Sequence, residues 1–491
     1  MIKPTADRFL FNQFAVFSFI LLSSIFIGLY NESIYVLAVP FVLLFFYLAV
    51  ADTRLVYFFF IASIPISVAI DLPGGFGTDL PGEPIMGGLM IIFFANLLFK
   101  KDYVNKDFLK SPIIFMLFIQ TAWIVVATIY SSDLYISFKH LLAKTWYITV
   151  GVFLTALLIQ TMRDKRQFFW FMFWPLTGTI IIILLRHSLY HFEFENINQV
   201  VGPFYINHVM YAVMVSIFFP FLWLAASWYE KGTFNRQLLL ICRPIYLVGI
   251  WFSYTRSSWA AVIACLVCYV IIQLKLLHWV FISLMTGVLI FIIFFSINNC
   301  YLEHAPNYES TIYHSTLGAH LTATVQMEDL SSAERIYRWV AGLRMWKDKP
   351  ITGYGPATFY TFYKSYTVTS FQTYVSDNPE RSTVHNYFLL VLDEQGVVGL
   401  ILFIALTFVL FQQGQRIFHQ TKDREEKNWI MAVLLCLVAI YINTFLNDLI
   451  ETIKVGPLFF MCMAFLVNQE VRNKNLLKET AAQETNIIAK G

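Results

Sequence analysis

The sequence predicts an all-α integral membrane protein with about 12–14 transmembrane helices and one large outward loop holding amphipathic helices. Three observations predict this. Of 491 residues, 58% are hydrophobic and only 13% charged, with a mean hydropathy of +0.64; a soluble globule carries roughly a quarter charged residues. Apolar stretches recur at the length of roughly 20 residues that a helix needs to cross the hydrocarbon core. Most of the 34 Lys and Arg fall on alternate connections, as positive-inside sorting requires.

The stretches lie near residues 13–30, 33–50, 55–70, 85–99, 112–130, 146–162, 168–185, 209–228, 238–254, 257–274, 277–297, 386–411, 429–445 and 455–467. The first follows Met1-Ile2-Lys3-Pro4-Thr5-Ala6-Asp7-Arg8 with no small-residue cleavage site after it, and reads as an uncleaved signal-anchor. Short spans flank the Gly/Pro loop at 71–84, so one of them is a candidate re-entrant segment. The chain divides into N-terminal helices at 1–200, further spans at 201–297, a large loop at 298–385, C-terminal spans at 386–467 and a loosely ordered inside tail at 468–491.

With the N-terminus inside, the inner connections carry Arg54, Lys100, Lys101, Arg163, Lys165, Arg166, Arg236 and Lys422 among others, and the short outer loops carry few bases. A net charge of +3 gives no case for a nucleic-acid partner. Of the six cysteines, Cys300 alone faces outward; Cys265-x-x-Cys268 lies in an apolar helix and reads as packing. No Gly-rich phosphate loop is present, so cytoplasmic ATP is not the expected energy source.

A loop as long as 298–384 is expected to be functional or disordered. Ser331-Ser332-Ala333-Glu334 fits a capping box opening a helix that runs to Lys347 and stops before Pro350. Arg335, Arg338, Trp339, Gly342, Leu343 and Trp346 share one face by their spacing. The helix is expected to lie on the outer membrane surface.

The chemistry-bearing residues gather on the outer side. Arg256 precedes Ser257-Ser258-Trp259 at a span end. An arginine there either snorkels to lipid phosphate or grips a diphosphate with its planar donor fork. Arg335 and Arg338 form a second clamp or the solvated side of an amphipathic helix. His385 opens a span, next to Asn386 and nine residues ahead of Glu394. Its ordinary pKa of roughly 6.5 suits general-base work, although a histidine at a helix start is often only interfacial. Asn447, Asp448 and Glu451 lie outside and are placed to orient an imidazole, bind sugar hydroxyls or end a helix. His187 and His191 have a metal-ligand spacing but no accompanying carboxylate, so neither metal nor cofactor is expected.

In order along the chain, Gly202-Pro203-Phe204-Tyr205-Ile206-Asn207-His208, Thr255-Arg256-Ser257-Ser258-Trp259, Arg335 with Trp339, Pro350-Ile351-Thr352-Gly353-Tyr354-Gly355-Pro356, and His385-Asn386 through Glu394-Gln395-Gly396 resemble the O-antigen ligase and polymerase family of bacterial membrane glycosyltransferases. The resemblance covers roughly residues 200–450; the earlier spans agree only in hydropathy. It implies a GT-C-like helical fold in the inner membrane with its active site facing the periplasm. It implies inverting, metal-independent transfer of a glycan from an undecaprenyl-diphosphate donor to an acceptor hydroxyl. It assigns Arg256 and Arg335 to the donor diphosphate and His385 to the base, with Arg338, Trp259, Asn386, Glu394 and Asp448 as substrate-binding candidates. The implied partners are the lipid-linked donor, a glycan or lipid A-core acceptor, and membrane lipids. The aromatic run Phe359, Tyr360, Phe362, Tyr363, Tyr366, Phe371 and Tyr374 does not map onto the family pattern, and reads as sugar stacking or as loop packing.

Two other readings stay open. A flippase or transporter of lipid-linked glycan would need ionisable groups and broken helices at mid-membrane, whereas the polar groups here gather at the outer edge. A protein O-oligosaccharyltransferase would differ only in its acceptor.

Overall fold

The computed structural model describes residues 16–27, 30, 34–72, 76–296, 330–369, 376, 378 and 382–488. The first fifteen residues, Cys300, most of the outer loop, and Phe371 and Tyr374 lie outside the described residues.

The chain is an all-α integral membrane protein. Among the described residues, eight helical segments are long and apolar enough to cross a membrane: α4 (Gly82–Phe99), α5 (Pro112–Ile129), α6 (Leu134–Leu158), α7 (Met162–Ser188), α8 (His208–Trp228), α10 (Arg256–Gln273), α13 (Tyr387–Gln420) and α14 (Arg424–Thr444). Helices also cover the remaining expected spans: α1 (Val16–Ile27), α2 (Ile34–Ala51), α3 (Thr53–Ser63), α9 (Phe234–Trp251), α11 (Leu277–Ser296) and α15 (Gly456–Ile488). The outer-loop helix α12 runs Leu330–Asp348.

Lipid tails are as apolar as leucine, so close packing rather than water exclusion holds such helices together. α14 forms the centre, packed against α8, α10, α13 and α15. Its Trp429 meets Phe221 and Phe465 at ring separations of 5.1 Å, and Phe168 of α7 closes on Phe465 at 5.1 Å. The polar groups sit at the two ends of this helix, about 31 Å apart for 21 residues at 1.5 Å each. At its first turn, Glu426 pairs with buried Lys165 and, at 2.5 Å, with Arg472. Its last turn carries Asn443, which leads into the Asn447–Glu451 connection.

Four local expectations need correction. The Gly/Pro loop at 71–84 contains an antiparallel ribbon, β1 (Val68–Leu72) on β2 (Phe76–Leu80), with Val68 opposite Leu80. The tail after 467 is helical through Ile488; good helix formers fill it, and Glu470 is held by Ser111 at 2.7 Å and by Lys474 at 2.6 Å. The helix starts earlier than the capping box predicts: α12 begins ahead of Ser331, and Glu334 accepts from Arg338 at 3.2 Å and Ser376 at 2.6 Å. Finally, α12 docks on α13 through Tyr337, Val340, Ala341 and Met345, all buried, while Leu343 stays exposed. Arg338 and Gly342 of the cation-and-indole face are buried with this apolar set.

Candidate active site

The Gly/Pro turn and the Glu394-Gln395-Gly396 motif form one scaffold. α13 breaks at Gly396, where φ is +69° and ψ is −174°. The break strips the carbonyls before it of intrahelical donors, and buried carbonyls need new ones. The turn supplies them: Tyr354 N donates to Asp393 O and Gly355 N to Glu394 O, both at 2.9 Å. Trp123 of α5 donates its indole N–H to Gln395 O at 2.8 Å, and Val397 N returns a bond to Pro350 O at 2.8 Å. A Cβ on Gly396 would lie 2.0 Å from Ile351 O, and one on Gly353 would lie 2.4 Å from the Glu394 carbonyl carbon. Both glycines are therefore required by contact as well as by positive φ. The Glu394 carboxylate accepts from Ala357 N at 2.8 Å and Phe359 N at 3.1 Å, locking the rest of the turn to α13. The described aromatic residues after it pack on one another, with Phe359 stacked on Tyr363 at 5.1 Å and Tyr354 against Phe362 at 5.2 Å.

This scaffold sets α12 beside the segment that carries His385. Trp339 donates to Val384 O at 3.0 Å and Arg338 to Thr383 O at 3.4 Å. On the other side Thr383 donates to Asp448, and Tyr387 donates to Glu451. Asn386 caps α13, its side chain accepting from Leu389 N at 3.0 Å. Between these anchors His385 takes a left-handed backbone, φ 53°. Its imidazole is half-buried. Burial, followed by the charges of Arg338 and Arg335, pushes its pKa down to about 3, so the ring is neutral and basic nitrogen is available at pH 7.

Arg335 and Arg338, two of the three arginines of α12, are not equivalent. Arg338 is buried and donates to Glu334 and the Thr383 carbonyl, with its Nε buried and unpartnered among the described residues. Arg335, three residues earlier, is partly exposed. Arg256 opens α10 at the same end of the bundle. Ser258, two residues on, donates to Asn443 Oδ1 at 3.2 Å, and Asn447 donates to Asn443 O at 3.3 Å, which joins the start of α10 to the Asp448 turn. Burial raises the carboxyl pKa of Asp448, opposed by its bond from Thr383. Trp259 stacks on Trp251 at 5.0 Å and gives its N–H to Ile250 O at 2.9 Å. Arg335, Arg338, His385 and Asp448 thus form one cluster, Asn386 and Glu394 build its frame, and Arg256 and Trp259 lie on the helix that meets it through Asn443.

Residues 244–404 match the family described as O-antigen ligase. That segment belongs to the O-antigen ligase family. No curated protein matches the chain. The O-antigen ligase segment contains Arg256, Trp259, Arg335, Arg338, His385, Asn386 and Glu394, together with both partners of the Gly396 docking. It supports, in general terms, a membrane enzyme that transfers glycans.

Sequence reasoning missed one feature outside the O-antigen ligase segment. Lys144, buried within α6, pairs with Glu451 at 2.6 Å, and His140 lies 3.7 Å from the same carboxylate. The sequence spans at 112–130 and 146–162 left Lys144 in the connection between them, and only the extension of α6 back to Leu134 places it in a helix. Lys454 is also buried, but its ammonium is satisfied by the carbonyls of Ile64, Pro65 and Ser67 at 2.8, 3.2 and 2.6 Å, a structural cap on the end of the α3 segment.

Proposed function

We propose that the protein is a glycosyltransferase of the bacterial inner membrane that moves a glycan from undecaprenyl diphosphate to an acceptor hydroxyl at the periplasmic face. Arg335 and Arg256 grip the donor diphosphate; hydrogen bonds to charged groups contribute about 1.5–3 kcal/mol each. His385 takes the proton of the acceptor hydroxyl. The hydroxyl oxygen attacks the anomeric carbon from the side opposite the diphosphate, so the new glycosidic bond forms with inversion as the old carbon–oxygen bond breaks. Undecaprenyl diphosphate leaves with its charge held by the guanidiniums. Arg338, tied to Glu334 and Thr383, positions the histidine segment and contributes field rather than direct contact.

The observation that carries this reading is His385 at the centre of a segment held against the arginine-bearing helix α12, through Trp339 to Val384 O and Arg338 to Thr383 O. A cationic pocket without a base would serve an anion-binding protein equally well; a neutral imidazole beside it supplies the proton acceptor that transfer requires. An anionic donor offsets the two positive charges and raises the basicity of the ring when the substrate arrives. The acceptor is lipid A-core for a ligase and the growing glycan for a polymerase. Lipopolysaccharide gels of a deletion strain separate the two: unattached lipid-linked polymer marks a ligase, and core bearing a single repeat marks a polymerase. Full-length ladders in the deletion strain count against both.

A further inference from the structure

The segment that carries His385 is held from a connection that lies beyond the family-matched residues. Thr383, two residues before the histidine, donates to Asp448; Tyr387, two residues after it, donates to Glu451. Both carboxylates come from the turn that follows α14. Glu451 is itself anchored by Lys144 at 2.6 Å, with Lys144 only 6% exposed, and His140 stands 3.7 Å away. Burial alone would raise the Glu451 carboxyl, but Lys144, His140 and Tyr387 hold it down to about 2, so it is an anion at any working pH. Between the two attachments His385 keeps φ at 53°, a region that costs a non-glycine residue about 1–3 kcal/mol and persists only where its surroundings enforce it.

We infer that Glu451, anchored by Lys144, is a positioning residue that clamps the Thr383–Tyr387 segment through the Tyr387 hydroxyl and so aims His385. Helix α6, far upstream in the chain, is thereby part of the active-site frame. This inference rests on the functional reading of His385 given above, but its geometric half is open to a test that needs no substrate.

Full-length protein in nanodiscs is treated with diethyl pyrocarbonate at pH 7, and carbethoxylation of the His385 peptide is followed by mass spectrometry. Glu451→Gln and the milder Tyr387→Phe, which keeps ring volume and removes only the hydroxyl, are each expected to change the His385 rate at least threefold. Transfer assays with lipid-linked glycan extracted from the source membranes are expected to show kcat lowered about 10- to 100-fold in Glu451→Gln with donor KM unchanged, the size of effect a misplacement of about 1 Å produces. Lys144→Arg, which keeps the cation, retains kcat within about threefold, whereas Lys144→Met does not. Wild-type modification rates in both Glu451→Gln and Tyr387→Phe overturn the inference, as does a loss confined to KM. A changed rate in these variants alongside full transfer by His385→Ala leaves the clamp standing and removes the function proposed for its cargo.

Discussion

The charge environment of His385 makes a prediction about pH that separates free enzyme from donor complex. Its pKa falls from an ordinary 6.5 to about 3, which corresponds to about 5 kcal/mol against protonation at about 1.4 kcal/mol per unit. Burial is the largest cause, and Arg338 and Arg335 add the rest. The charged groups that act on the ring are Arg338 and Arg335 of α12. A bound diphosphate cancels the arginine contribution and leaves the burial in place. The acid limb of kcat/KM, which reports free enzyme, therefore lies below the acid limb of kcat, which reports the complex. The separation is expected to be at least about one unit. A donor diphosphate diester has no proton to lose near neutrality, so it does not disturb either limb. Asp448, whose carboxyl is raised by burial, is controlled with Asp448→Asn, which keeps an acceptor for Thr383. Rates between pH 2 and 8 with purified protein in liposomes provide the measurement. Coincident limbs, or a kcat limb at the lower pH, refute the reasoning.

Three further outcomes follow from the geometry. Gly396→Ala places a Cβ 2.0 Å from Ile351 O at positive φ, and is expected to cost at least about 2 kcal/mol, seen as a lowered thermal midpoint in detergent and loss of transfer. Lys144→Met leaves Glu451 without its cation and is expected to destabilise by about 3–5 kcal/mol; adding Glu451→Gln restores most of the loss, read from the same melts. Arg335→Met is expected to weaken binding of undecaprenyl diphosphate in nanodiscs by about 10- to 150-fold, the equivalent of 1.5–3 kcal/mol, whereas Arg338→Met leaves that affinity within about threefold and lowers kcat and stability instead.

The spans and the α12 helix were legible because both depend on local properties: apolar length for the first, and a helical run stopped by Pro350 for the second. The motifs also come together in the fold, since Trp339 and Arg338 of α12 bond the backbone of the two residues before His385. The docking of the Gly353 turn on the Gly396 break was not legible, because it pairs backbone groups some forty residues apart whose need for partners arises only once the helix breaks. The surroundings of the cation-and-indole face of α12 were not legible either: Trp339 and Arg338 reach Val384 and Thr383 across a contact that the helix spacing alone does not reveal. Lys144 and Glu451 lie 307 residues apart, so each read as a separate span or loop residue until the fold joined them. Asn386 caps α13 and Glu394 holds the 357–359 backbone, structural bonds that the sequence did not announce.

The most direct test is transfer by purified His385→Ala protein in liposomes, with binding of undecaprenyl diphosphate measured in the same preparation. The account expects donor binding close to that of the unmodified protein and glycan transfer reduced by at least about 10²-fold, the low end of what a general base contributes. Transfer at the unmodified rate would contradict it.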